Sequence, residues 1–183
     1  AVGAAGMYVW LSQGVVAMAK MGGQVKVAHS LGRKEPEEAG KYVTAALQMG
    51  MLFAVLFGAV CYFGASLLIG FFGLNHESII LNAQVYLKIT CGLIFFSFFN
   101  GIITGIMTAT GDSRTPLYAN VVGLVLNIVL NPLLIFGFGP LKGFGVAGSA
   151  SATVLAQFIV SVMFLRAIRK DLSLIHISEP TRL

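Results

Sequence analysis

Residues Asn120–Gly137 read NVVGLVLNIVLNPLLIFG, an apolar run interrupted by Asn120, Asn127, Asn131 and Pro132. A hydrocarbon layer of about 30 Å takes roughly 20 helical residues, so the run is long enough to cross one. The asparagines are spaced seven and four apart. At about 100° per residue they share one helix face. Pro132 has no backbone N–H and therefore frees the carbonyl of Ile128, one turn back. In lipid that carbonyl needs another partner. Amide oxygens beside a loosened carbonyl suit a hard cation or water. The same residues also suit interhelical hydrogen bonding, with Pro132 as a structural kink. The residue pattern leaves both readings open.

The rest of the chain has the same character. Hydrophobic residues make up 57% of it and charged residues 10%, against about 25% charged in an average soluble domain. This composition predicts an all-α integral membrane protein. Five apolar stretches qualify as transmembrane helices: Ala1–Ala19, Tyr42 to Gly73, Ile79 to Ala109, Pro116 to Phe138 and Phe144 to Leu165. They are too long and continuous for barrel strands, which alternate over about ten residues. Connections such as GRKEPEEAGK, GLNHES, GDSRTP and GFGPLKGFG are punctuated by Gly and Pro. With five spans, Lys20, Lys26, Arg33, Lys34, Lys41, Arg114, Arg166, Arg169 and Lys170 fall on one side and Lys142 on the other. That imbalance predicts a cytoplasmic location for the first group, and in this setting basic charge reports orientation, not nucleic acid.

Further polar stripes mark other helices. Ser149, Thr153, Gln157 and Ser161 recur every four residues on the fifth span, and Asn100, Thr104 and Thr108 do so on the third. Gly101 and Gly105 form a GxxxG that permits close helix approach. Lys88 is a charge within a span, a functional candidate by default, although it can also snorkel to the interface. Cys61 and Cys91 lack CxxC spacing, and His29 and His76 lack the partners of a metal site. There is no nucleophile–base pair, phosphate loop or paired carboxylate, so no enzyme and no bound cofactor are expected.

The segments QVKVAHSLGRKEPEEAGK, GIMTATGDSRTP, NIVLNPLLIFG and GVAGSASATVLAQ occur in that order. In this order they resemble multidrug and toxic compound extrusion (MATE) transporters of the bacterial type, and the likeness covers residues 1–171. The resemblance implies twelve helices in two halves around an aqueous cavity. Residues 1–171 then correspond to helices two to six, a partial N-terminal lobe truncated at both ends. Residues 172–183 resemble translated sequencing adapter and are expected to be read-through.

The resemblance also implies a secondary-active antiporter in the inner (plasma) membrane, exporting organic cations, drugs or amphipathic metabolites in exchange for Na+ or H+. Its implied partners are a small-molecule substrate, membrane lipid and the remaining half of the same transporter. The family places an Asn, and an acidic residue four positions later before a Pro, in a cation site. Asn127 matches the first position. Asn131 stands where the acid is expected, and an amide cannot exchange a proton. The candidate cation and substrate residues are Asn127, Asn131, Asn120, Asn100, Thr104, Ser149 and Thr153. The alternatives are a lipid-linked oligosaccharide flippase of the same superfamily and a non-transporting structural subunit. The flippase needs cavity-lining cations, for which the sequence offers only Lys88.

Overall fold

The computed structural model of the chain describes residues 2–73, 76–138 and 141–177. In order they form α1 (Val2–Gly32), α2 (Pro36–Phe63), α3 (Ala65–Gly70), α4 (Glu77–Gly92), α5 (Phe95–Ala109), α6 (Arg114–Phe136), β1 (Gly137–Phe138), β2 (Leu141–Lys142) and α7 (Gly145–Ile177). The two-residue strands pair antiparallel at the α6–α7 turn. Side chains from residue 171 onward, and residues 178–183 altogether, lie outside the described residues, so of the expected read-through at 172–183 only the helical backbone to Ile177 is described.

The local chemistry accounts for the boundaries. Pro36 opens α2 at a position where a missing N–H costs nothing. Glu37 and Glu38 follow in the first turn, where the helix dipole favours negative charge. Asp112 caps α6, its Oδ1 accepting from the backbone N–H of Arg114 and of Thr115 at 3.0 Å each. A side-chain hydrogen bond from Thr115, then these N–H groups, hold the Asp112 carboxyl below its ordinary value.

The helical membrane fold is as expected, with three to four clear spans among the described residues where five were expected. Among the described residues three helices are long and apolar enough to cross a membrane: α2, α6 and residues Gly145–Lys170 of α7. Paired, α4 and α5 make a fourth, but they are not one straight helix: the pair bends by 46° at the break between Gly92 and Phe95. Hydropathy runs unbroken through that sequence and carries no record of direction. Although α1 has 31 residues, Ser12, Gln13, Lys20 and repeated glycines dilute its apolarity. It also continues past Ala19 to Gly32, so QVKVAHS is helical and His29 lies in the last helical turn.

Two apolar cores hold the helices together. One gathers residues such as Val16, Ala54, Leu87, Cys91 and Phe98; the other gathers Ile103, Met107, Ala119, Val160 and Phe164. Small residues set the helix spacing, as expected where packing contacts drive association in lipid. A Cβ on Gly101 would collide with Val16, and one on Gly105 would lie 2.7 Å from Cγ of Lys20. A Cβ on Gly58 would lie 2.8 Å from the Cys91 carbonyl oxygen, a backbone atom that cannot rotate away. Gly58→Val is therefore expected to lower stability by about 1–3 kcal/mol, the usual cost of overpacking. Thermal denaturation of the detergent-solubilised protein measures this, and an unchanged midpoint contradicts it.

Large apolar side chains face outward along the lobe: Trp10 and Phe63 are each 83% exposed, and α6 buries only Pro116, Ala119 and Gly123. A surface of this kind needs an apolar surrounding.

Candidate functional site

The α6–α7 seam joins four of the predicted residues in one hydrogen-bonded chain. On α6, Asn131 Nδ2 donates to Asn127 Oδ1 at 2.8 Å, across one helical turn. On α7, the Thr153 hydroxyl donates to the Ser149 carbonyl at 3.1 Å. Across the seam, Asn127 Nδ2 donates to Thr153 Oγ1 at 3.2 Å and Ser149 Oγ donates to Asn131 Oδ1 at 2.8 Å. The seam closes this tightly because Gly123 faces Val160: a Cβ there would lie 2.6 Å from Val160 Cγ2. All four polar residues are half-buried. Each amide oxygen accepts one bond and keeps a second lone pair.

Asn100 belongs to a different cluster. It is 4% exposed, and its Nδ2 donates to the Gln157 carbonyl at 2.9 Å and to Gln157 Oε1 at 2.7 Å. Ser161 Oγ donates to Asn100 Oδ1 at 2.8 Å. These bonds tie α5 to α7. Asn120 is exposed and makes no hydrogen bond. It lines a cavity of about 250 Å³ with Asn127, Thr153 and Gln157. Asn120 also lines a neighbouring cavity of about 170 Å³ with Asn100, Thr104 and Gln157. Pro132 is exposed, and α6 continues through it to Phe136.

Sequence reasoning missed three residues of this cleft. Gln13 and Ser97, joined by a 3.1 Å hydrogen bond, line the second cavity. Lys20 lines it too, half-buried. Gln13 and Lys20 lie seven apart on α1, and Ser97 lies three before Asn100 on α5, so helical spacing carried a signal that the sequence reading did not use. The reading of Lys88 as the only available cavity cation is corrected. Lys88 is exposed, with its ammonium 6.0 Å from the centre of the Tyr62 ring, and lines a separate, mostly apolar groove. Among the described residues, no group of three or more His, Cys, Asp or Glu side chains could hold a metal. The carboxylates at Glu35, Glu37, Glu38, Glu77 and Asp112 all sit in turns or in the first turn of a helix.

An apolar exterior, small-residue helix packing and an amide-lined cleft define a helical membrane protein with a polar cleft among its helices. Residues 1–133 match the family model described as MatE, and the chain belongs to that family. It is 31% identical over 152 residues to a probable multidrug resistance protein, YoeA, of Bacillus subtilis, covering 79% of this chain and 32% of that protein. A probable multidrug resistance protein, NorM, of Thermotoga maritima is 28% identical over 159 residues, covering 86% of this chain and 34% of its own. One solved structure, an inward-facing conformation of a multidrug resistance MATE family transporter of the MOP superfamily, superposes with a TM-score of 0.79. It is 27% identical over 88% of this chain and 37% of the other. The chain thus spans about a third of the length of these relatives.

Proposed function

We propose that the complete protein is a secondary-active antiporter of the plasma membrane that exports organic cations, drugs or amphipathic metabolites in exchange for Na+ or H+. The observation that carries this reading is the four-residue polar chain, two of whose members, Asn127 and Thr153, line a cavity between largely apolar helices. Asn127 and Asn131 offer uncharged oxygens for a hard cation, with Ser149 and Thr153 holding them in register. Asn120 and Gln157 extend the polar surface toward the solute. On this reading residues 1–171 form most of one lobe, and the remaining half of the transporter closes the cavity from the other side. Movement of one lobe against the other then exposes the cavity to each side in turn, the general mode of repeat-built transporters. No step needs a bound cofactor or a covalent intermediate, so the protein is read as a transporter and not an enzyme. Satisfied hydrogen bonds across the α6–α7 seam favour a second reading, in which the amides only fasten helices.

The test is dye efflux by the complete gene product in everted vesicles of a sensitised bacterial host. Transport is expected to stop when the Na+ or the H+ gradient is collapsed selectively. Efflux that survives collapse of both gradients rules out the antiporter reading.

A further inference from the structure

The cavity beside α1 has an unbalanced charge. Lys20 lines it and makes no ion pair or hydrogen bond among the described residues. Its aliphatic stem lies over Gly105, where a Cβ would come within 2.7 Å of Cγ. The missing side chain at that position gives the lysine its route along α5 into the cavity. Around it, the Asn120 amide and the Thr104 hydroxyl are also without hydrogen bonds, while Gln13 and Asn100 are engaged with Ser97 and Gln157. No described carboxylate reaches this cavity. The open groups are therefore an ammonium, which can only donate, and an amide and a hydroxyl, which can turn either a donor or an acceptor toward a ligand. A carboxylate or a phosphate presents acceptors only, with several lone pairs to satisfy, and charge-assisted bonds to it are the strong ones. A permanent organic cation would meet like charge and no acceptor of matching sign.

We propose that the Lys20 cavity binds the anionic group, a carboxylate or phosphate, of an amphipathic substrate, and so sets substrate preference within the transport reading above. The inference rests on that reading for the word substrate and on the cavity alone for the anion. Lys20 holds the charge, Asn120 and Thr104 supply neutral donors, and the substrate's apolar part faces the apolar walls of the complete cavity.

The experiment uses the purified complete protein and two probes, carboxyfluorescein as the anion and ethidium as the cation. Binding is read by fluorescence anisotropy and transport by efflux in proteoliposomes. Lys20→Gln is expected to weaken carboxyfluorescein binding at least tenfold while leaving ethidium binding unchanged or improved. Lys20→Arg is expected to restore anion binding to within about threefold of the parent protein. Equal weakening of both probes, or anion binding indifferent to Lys20, overturns the proposal. So does a Lys20-dependent rise in melting temperature produced by phosphatidylglycerol but not by carboxyfluorescein, because the occupant is then a lipid headgroup. Lys20-dependent anion binding in a protein that moves neither dye supports the anion site and sinks the exporter reading, which keeps the two failures apart.

Discussion

Asn131→Leu in the complete transporter gives a folded protein whose ion-driven efflux falls at least tenfold. The expectation follows from the bonds the residue makes. Asn131 donates to Asn127 and accepts from Ser149, linking α6 to α7. As glue alone, that link is worth about 0.6 to 2 kcal/mol in a membrane, so its loss lowers stability modestly. As part of a cation site, its oxygen is not replaceable by a methyl group. Asn131→Asp separates the readings from the other side. A carboxylate at this position would face Asn127 Oδ1, oxygen against oxygen, unless the Asn127 amide turns over. That rotation is open to it: Thr153 can donate as well as accept, so the chain can reverse its polarity and present Asn127 Nδ2 and Ser149 Oγ to the new charge. In a hydrated site the variant folds, and its efflux depends more steeply on sodium or on pH. In a dry seam the same change buries a poorly compensated charge at a cost of several kcal/mol. The measurements are membrane expression and ion-coupled efflux for both variants. An Asp variant that fails to accumulate, beside a Leu variant that still couples, removes Asn131 from the cation site.

Residues 1–171 expressed alone confer no drug resistance and no efflux above the empty-vector background. The lobe's polar cleft opens outward at Asn120, which is exposed and unpartnered. Its apolar flanks carry residues such as Phe136, 81% exposed. A cavity with one wall cannot be closed to either side, and alternating access needs a second body to move against. Growth of a sensitised host on ethidium, with protein levels checked in the membrane fraction, reads the outcome. Resistance conferred by this segment alone would show that the second half is dispensable.

Much of the fold is legible because lipid imposes a simple rule. Uninterrupted apolar runs with breakers at both ends gave α2, α6 and α7 their places. The 46° break between α4 and α5 leaves little trace, because Gly92 and Leu93 are as apolar as their neighbours. The continuation of α1 through MGGQVKVAHS was hidden by its glycines and charges. In the structure Gly23 is a packing residue: a Cβ there would lie 2.7 Å from Cβ of Ala46 on α2. The site divides the same way. Asn127, Asn131, Ser149 and Thr153 were readable because residues four apart on a helix must share a face, and two such faces met. The engagement of Asn100 by Gln157 and Ser161 was not readable, since it depends on how α5 and α7 cross. Lys20 and Gln13 share a helix face by their spacing of seven, but that this face meets the cleft depends on tertiary placement.

The length of α1 has a mechanical meaning. Its 31 residues rise about 46 Å at 1.5 Å each, while the hydrocarbon layer is about 30 Å thick. Residues 2–19 carry no charge, and Lys20, Lys26, Arg33 and Lys34 follow. The uncharged part measures about 27 Å by the same rise, close to that thickness, although α1 is too dilute in apolar residues to rank with the clear spans. The remainder carries Lys26, with Arg33 and Lys34 just past its end, cations of the kind that anionic lipid attracts at about 1 kcal/mol each. A basic end of this kind is suited to mooring a helix at an anionic membrane surface. Lys20 stands at the boundary between the uncharged and the basic parts of the helix.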